Sequence, residues 1–217
     1  MRVASPFRPS IWLCIVFLAS GITAQAQVPG LIFRPAAGPG RLVLDPNGDG
    51  YTSKTSAGFQ VNSMSDSEIP FAPVPQIQAE PTGDLRTGPK GGSTDLVQDE
   101  NGYHSFMYYD PVNQNVLFRM ILAGNSSASK GYTFLFNTDF DAFGKGTGRN
   151  PGFQFEVVLE TDFRVSVYKL DGDTSTRVAE FPIAQHSQRA ISYVHSRGTT
   201  GYFYDFYVPL SGINSGG

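Results

Sequence analysis

The chain has 217 residues, with 24 glycines, 15 prolines, 13% aromatics, a single Cys, and 16 Lys+Arg against 19 Asp+Glu. A net charge of −3 argues against nucleic acid and against an anionic membrane surface as partners, because both recruit basic patches. One cysteine excludes an internal disulfide framework, and the length suits one sizeable domain with its own core.

Met1–Ser10 carries Arg2 and Arg8 and no acid, Ile11–Ile22 is an apolar run, and Ala24-Gln25-Ala26 reads as an A-x-A cleavage site. The run is short for a bilayer span, so cleavage is expected rather than anchoring. Cys14 lies inside that run without the small residue expected just ahead of a lipid-modified cysteine. Residues 1–26 are therefore expected to be a signal peptide and Gln27 the first residue of a secreted chain. Removing them takes away the only Cys and the only Trp, and leaves 14 Lys+Arg against 19 Asp+Glu, a net charge of −5. Bound cations are the natural staple for such a chain in a compartment that would permit disulfides.

Residues 27–64 are expected to form an arm around Asp45-Pro46-Asn47-Gly48-Asp49-Gly50-Tyr51. Asp45, Asn47 and Asp49 place side-chain oxygens at alternate positions, the Tyr51 carbonyl follows at position seven, and glycines sit where the backbone must bend. That spacing suits structural Ca²⁺, which takes six to eight oxygen ligands. Ser56 stands where an EF-hand has its bidentate Glu, and no helices are expected to flank the loop, so a distant carboxylate must close it. Glu68, Asp66 and Asp95 are the candidates. The competing reading is a plain turn, because Pro, Asn, Gly and Asp all favour turns.

Tyr51–Val61 reads as a strand or an extended arm. Residues 65–94 show no periodicity, with five prolines from Pro70 to Pro89 and glycines at 83, 88, 91 and 92. An ordered wrap is expected, docking Ile69, Phe71, Val74, Ile77 and Leu85 on a neighbouring sheet.

Residues 95–217 carry strand patterns. Tyr103–Tyr109 and Asn115–Ala123 flank the turn signal Asp110–Gln114. Tyr132–Asn137 puts Tyr132, Phe134 and Phe136 on one face, and Phe153–Glu160 alternates most cleanly. Phe163, Val165 and Val167 repeat the pattern before the turn Asp171-Gly172-Asp173. Val178–Ile183, Ile191–His195 and Tyr202–Val208 complete the set. The fold class is all-β, a two-sheet antiparallel β-sandwich or jelly roll with a long Pro/Gly-rich wrapping loop, each sheet burying one face and wetting the other.

Asn137, Asp139 and Asp141 form a second oxygen-rich run before Gly144, Gly146 and Gly148, readable as a cation site or as a wide hairpin loop. Catalysis is not expected. Glu156 and Glu160 lie four residues apart on one strand face, about 13 Å at the usual strand rise, too far for a retaining glycosidase pair. His104, His186 and His195 lack close metal-ligand spacing, and no nucleophile elbow or H-E-x-x-H occurs. Tyr108, Tyr109, Tyr168, Tyr204 and Tyr207 are the rings that alternation could turn outward to stack on a glycan, although core packing is the ordinary role for each.

Several of these residues also carry a resemblance. Phe118-Arg119-Met120 after a Tyr-Asp-Pro turn, Lys130-Gly131-Tyr132, Phe136-Asn137-Thr138-Asp139, Asn150-Pro151-Gly152-Phe153 and the closing Tyr207–Leu210 together resemble the amino-terminal β-sandwich of large secreted Bacteroidetes surface proteins. Many of those proteins end in type IX secretion or gliding-motility-associated domains. The Asp45–Tyr51 run, Ser67–Pro70, Glu80-Pro81 and Thr94–Val97 are similar to the same family. More distantly, the core is similar to family 9 carbohydrate-binding modules and DOMON-like sandwiches. The resemblance implies an extracellular module with a binding, adhesion or structural role, and further domains after Gly217. Its partners would be a glycan or another surface protein. A carbohydrate-binding accessory to a polysaccharide-degrading enzyme is the alternative, and a glycoside hydrolase the third. Asn137-Thr138-Asp139 departs from the relatives' Asp-Thr-Asp, which would weaken a cation there.

Overall fold

The computed structural model describes residues 27–76, 80–81, 92–125, 131–138, 150–196 and 199–214. The expected signal peptide lies outside the described residues, as do Ile77, Leu85, Asp139 and Asp141. The described strands are β1 (Ile32–Arg34), β2 (Ala72–Pro73), β3 (Ser105–Asp110), β4 (Asn115–Leu122), β5 (Gly131–Phe136), β6 (Phe155–Glu160), β7 (Arg164–Asp171), β8 (Thr174–Pro182), β9 (Ser187–Ser196) and β10 (Thr199–Pro209). Among the described residues there are also three short α-helices, α1 (Gly40–Leu44), α2 (Ile183–His186) between β8 and β9, and α3 (Leu210–Asn214) after β10, and one 3-10 turn at Met64–Asp66. No described helix is long and apolar enough to cross a membrane.

The strands form two antiparallel sheets, as the alternation predicts. One has six strands in the order β1-β9-β10-β4-β3-β2, and the other is a four-stranded meander, β5-β6-β7-β8. The β3–β4 turn is held by Asp110, whose carboxylate accepts the amides of Val112 and Asn113 at 2.9 and 3.2 Å. The meander's inner residues Phe134, Phe155, Val157, Leu159, Val165 and Val167 meet Val116, Phe118, Met120, Leu122, Phe206 and Val208 of β4 and β10. Phe118 anchors this layer, 4.9 Å from the stacked ring of Phe206 and 4.7 Å from Phe134. Full burial of each such side chain contributes about 1.5–3 kcal/mol.

The six-stranded sheet departs from the expected one wet face. Every residue of β4 is buried. Leu117, Ile121, Phe203 and Tyr207 face a second core, closed from outside by Ala36, Leu44 and Phe59 of the N-terminal arm and by Ile69 and Phe71 at the start of the wrap. A strand wedged between two apolar layers loses its alternation, which is why Asn115–Leu122 reads as a nearly continuous hydrophobic run. Between Tyr51 and Val61 the arm makes single bridges rather than a strand, Leu31 with Tyr51 and Ser53 with Ser67. Phe163 also differs from expectation. It lies in the β6–β7 turn, where its amide bonds the Glu160 carbonyl at 2.9 Å, and it is 59% exposed.

Candidate functional site

The Asp45 loop begins where α1 ends. Asp45 is only 2% exposed, and its two carboxylate oxygens accept the amides of Gly48 and Gly50, each at 3.1 Å. Asn47 Oδ1 accepts the Asp49 amide at 2.8 Å and Asp49 Oδ1 the Tyr51 amide at 2.9 Å. Gly48 and Gly50 sit at φ 72° and 84°, the left-handed region where a side chain would strain the turn. The alternation of oxygen donors with glycine is thus a sequence of local side-chain-to-amide bonds winding the backbone into a tight cup.

Glu68 closes this cup. Its Oε1 accepts the Asn47 amide, while Oε2 is buried with no hydrogen-bond partner. Its own amide bonds the Thr52 carbonyl at 3.0 Å, fixing residue 68 beside the loop. Burial, joined by the charges of Asp45 and Asp49, pushes the Glu68 carboxyl up to about 7. Burial and the Asp49 charge raise Asp45 as well. Three carboxylates therefore repel one another across a cup in which Asp45 is buried, Glu68 half-buried and Asp49 exposed.

The other candidates for closing the loop lie elsewhere. Asp66 turns its carboxylate to the amides of Gln60 and Val61, at 2.7 and 3.1 Å, and so shapes the arm. Asp95 brackets β4 through its carbonyl and the Ala123 amide, and is not among the charges acting on Glu68. Asn137 sits at the end of β5 on the other sheet. Among the described residues no three His, Cys, Asp or Glu side chains, those of Asp45, Asp49 and Glu68 included, are drawn close enough together to form a metal-holding group by themselves. The loop's donors are all oxygen, which matches a hard cation rather than zinc.

Behind Glu68 runs a buried polar row that sequence reading missed. Arg119 on β4 lies directly opposite Asp205 on β10, and Asp205 opposite Gln188 on β9. Arg119 and Asp205, both 0% exposed, form a two-pronged pair at 2.7 Å on each prong. Gln188 donates to Asp205 at 3.2 Å and to the Leu44 carbonyl at 2.8 Å, one residue before Asp45. Arg119 also donates to Ser67 Oγ at 3.0 Å, one residue before Glu68. Its guanidinium is sandwiched by Phe71 and Phe203, with ring centroids 4.5 and 4.3 Å away. The row thus positions both sides of the cup. Its signal was in the sequence: a single Arg in Val116–Leu122 and a single Asp in Tyr202–Val208, opposite charges in two otherwise apolar strands.

Of the tyrosines proposed to stack on a ligand, Tyr204 is 0% and Tyr207 6% exposed. Both belong to core clusters, because the arm and the meander cover the two faces of β10. Tyr108 and Tyr168 are half-buried, and Tyr109 is 41% exposed. On the meander's outer face, Glu160 pairs with Arg164 at 3.1 Å, and Glu180 with Arg164 and Arg177 at 3.1 and 2.8 Å.

No family model, curated protein or solved structure matches the chain.

Proposed function

We propose that this chain is a secreted, calcium-stabilised β-sandwich module of a bacterial surface protein, acting in binding, adhesion or architecture rather than catalysis. The observation that carries the cation is the buried, partnerless Oε2 of Glu68, set beside Asp45 and Asp49 with its carboxyl lifted to about 7. A hard divalent cation relieves that repulsion and gives Oε2 a partner. Asp45, Asn47, Asp49, the Tyr51 carbonyl and Glu68 are the residues that would hold it. The ion would supply no chemistry beyond stapling the arm to the sheet. The leader-like first 26 residues and the resemblance to secreted surface sandwiches support the location and the role.

Thermal melting of calcium-loaded and calcium-stripped protein tests this reading. At a hundredfold excess over Kd, calcium adds about 2.7 kcal/mol, or roughly 5–10 °C for a domain of this size. Glu68→Gln separates the ion from the loop's own hydrogen bonds. In stripped protein at pH 8 it is expected to raise the midpoint, because an uncharged amide replaces a buried carboxylate. With calcium present, it is expected to abolish most of the calcium-dependent rise. A midpoint indifferent to calcium in the parent protein refutes the staple.

A further inference from the structure

The chain contains two Asn-Gly pairs, Asn47-Gly48 in the cup and Asn101-Gly102 in the turn ahead of β3. This dipeptide is prone to spontaneous deamidation, because glycine has no Cβ to shield its backbone nitrogen from the asparagine side chain. The glycine nitrogen attacks the asparagine Cγ, ammonia departs, and water opens the resulting cyclic imide to aspartate or isoaspartate. Asn47 and Asn101 are both exposed, so water reaches each of them.

Their surroundings differ at the reacting atoms. In the cup, the Gly48 N–H donates to Asp45 Oδ1 at 3.1 Å, with the Asp45 carbonyl also at 3.1 Å. A carboxylate on the attacking nitrogen is a base within reach of the proton that must leave it. Asn47 Oδ1 accepts the Asp49 N–H at 2.8 Å. A backbone donor therefore already points at the oxygen that becomes negative when Cγ turns tetrahedral. In the other turn the acid serves different nitrogens. Asp99 Oδ1 accepts the amides of Asn101 and Tyr103, each at 2.9 Å, while the Gly102 N–H donates to the Asp99 carbonyl at 3.1 Å.

We propose that Asn47 is a self-modifying site, converted to aspartate when the cup is without calcium and guarded when the ion is held. In the stripped cup Asp45 takes the proton from the Gly48 nitrogen as the bond from that nitrogen to Cγ forms. The bond from Cγ to the side-chain nitrogen breaks, the proton leaves with it as ammonia, and water opens the imide. The guarding half rests on the calcium reading above: with the ion held, the oxygens of Asp45 and Asn47 serve the cation, so the base is withdrawn and the Asn47 side chain is fixed in place. Aspartate at position 47 keeps an oxygen for the Asp49 amide and adds a fourth carboxylate to the cup, and ligand charge tunes affinity for such a cation. The change runs one way. A copy that has been without calcium becomes a tighter calcium binder, whereas isoaspartate lengthens the backbone and breaks the turn.

Asn101 is the internal reference. The chain from Gln27 is held at pH 8 and 37 °C with excess calcium or with a chelator, and peptide mapping follows the gain of one mass unit at each asparagine. In stripped protein Asn47 is expected to convert at least fivefold faster than Asn101. Calcium is expected to slow Asn47 at least tenfold and to leave Asn101 unchanged. In urea the two are expected to convert at similar rates. An advantage of Asn47 that persists in urea overturns the proposal, because it would belong to the local sequence and not to the cup. Equal rates in folded, stripped protein overturn it as well, as does calcium slowing both sites alike. Asn47→Asp, made directly, is expected to bind calcium at least tenfold more tightly by calorimetric titration, and an unchanged affinity refutes the tightening. A melting midpoint indifferent to calcium refutes the staple but leaves the rate difference in stripped protein standing. A calcium-responsive midpoint with one common rate for both asparagines sinks this inference alone.

Discussion

Arg119 and Asp205 show what a buried charge asks of its neighbours. Each is fully shielded from water, so each depends on the other and on Ser67 and Gln188 for its hydrogen bonds. Removing one partner leaves an uncompensated charge in the core, which costs about 3–5 kcal/mol. Asp205→Ala should lose that much in urea unfolding. The double change Arg119→Met with Asp205→Leu should lose far less, because an apolar pair of similar bulk removes both desolvation penalties at once. The pair was visible as two isolated charges in apolar strands, but their register was not. Periodicity assigns a residue to a face and says nothing of which strand lies opposite. Glu68 could be named as a closing candidate from its chemistry alone. Choosing it over Asp66 and Asp95 needed the backbone path from Thr52 back to residue 68, a long-range fact that no local spacing records.

Among the elements, α2 is a single turn linking the two sheets at β8 and β9, and it carries a titratable ring in a tight place. His186 stacks between Phe181 and Tyr207, with centroids 4.7 and 4.3 Å away, and its Nδ1 lies 3.0 Å from the Tyr207 carbonyl. Burial lowers its pKa from the ordinary 6.5, against the smaller opposing pull of that carbonyl. Burial likewise lowers His104. A lowered folded pKa means the unfolded chain binds more protons, so stability is full above about pH 6.5 and declines as pH falls through the folded values. Calcium-stripped protein has an opposing component in Glu68. Its raised value stabilises fully below about 4.5 and is lost as pH rises through about 7. Calcium-loaded protein, with Glu68 held ionised, should show only the acid-side loss, and His186→Phe should reduce it while keeping the stack. Chemical unfolding between pH 5 and 8 measures both. The strands themselves were legible where a run such as Phe155–Glu160 alternates or one such as Asn115–Leu122 is nearly all apolar. The helices were not, since four or five residues are too few to display a helical period.

For the whole molecule the decisive feature is the second core. Sequence reading located an arm and a wrap but expected the larger sheet to meet water on one side. The apolar residues that settle the matter, Ala36, Leu44, Phe59, Ile69 and Phe71, are scattered through irregular segments and one five-residue helix, where no period marks them as core. The arm is therefore an integral layer. A chain beginning at Ala72 would expose Leu117, Ile121, Phe203 and Tyr207 together, a contiguous apolar patch of the kind that drives association. Such a truncation should bind a hydrophobic dye and aggregate in light scattering, whereas the chain from Gln27 should remain monodisperse.

The order of strands in the two sheets also sets a timetable. The meander pairs each strand with the next in the chain, so its loops close at low entropic cost. The six-stranded sheet and its cover must instead join groups such as Arg119 with Asp205, 86 residues apart, and Gln188 with Leu44, 144 apart. Distant closures are slow. The four-stranded half is thus placed to nucleate folding, and the cup at Asp45 takes shape only when the earliest part of the chain returns to lie across strands made last. Calcium would accordingly act late, slowing the departure of the arm more than hastening its arrival.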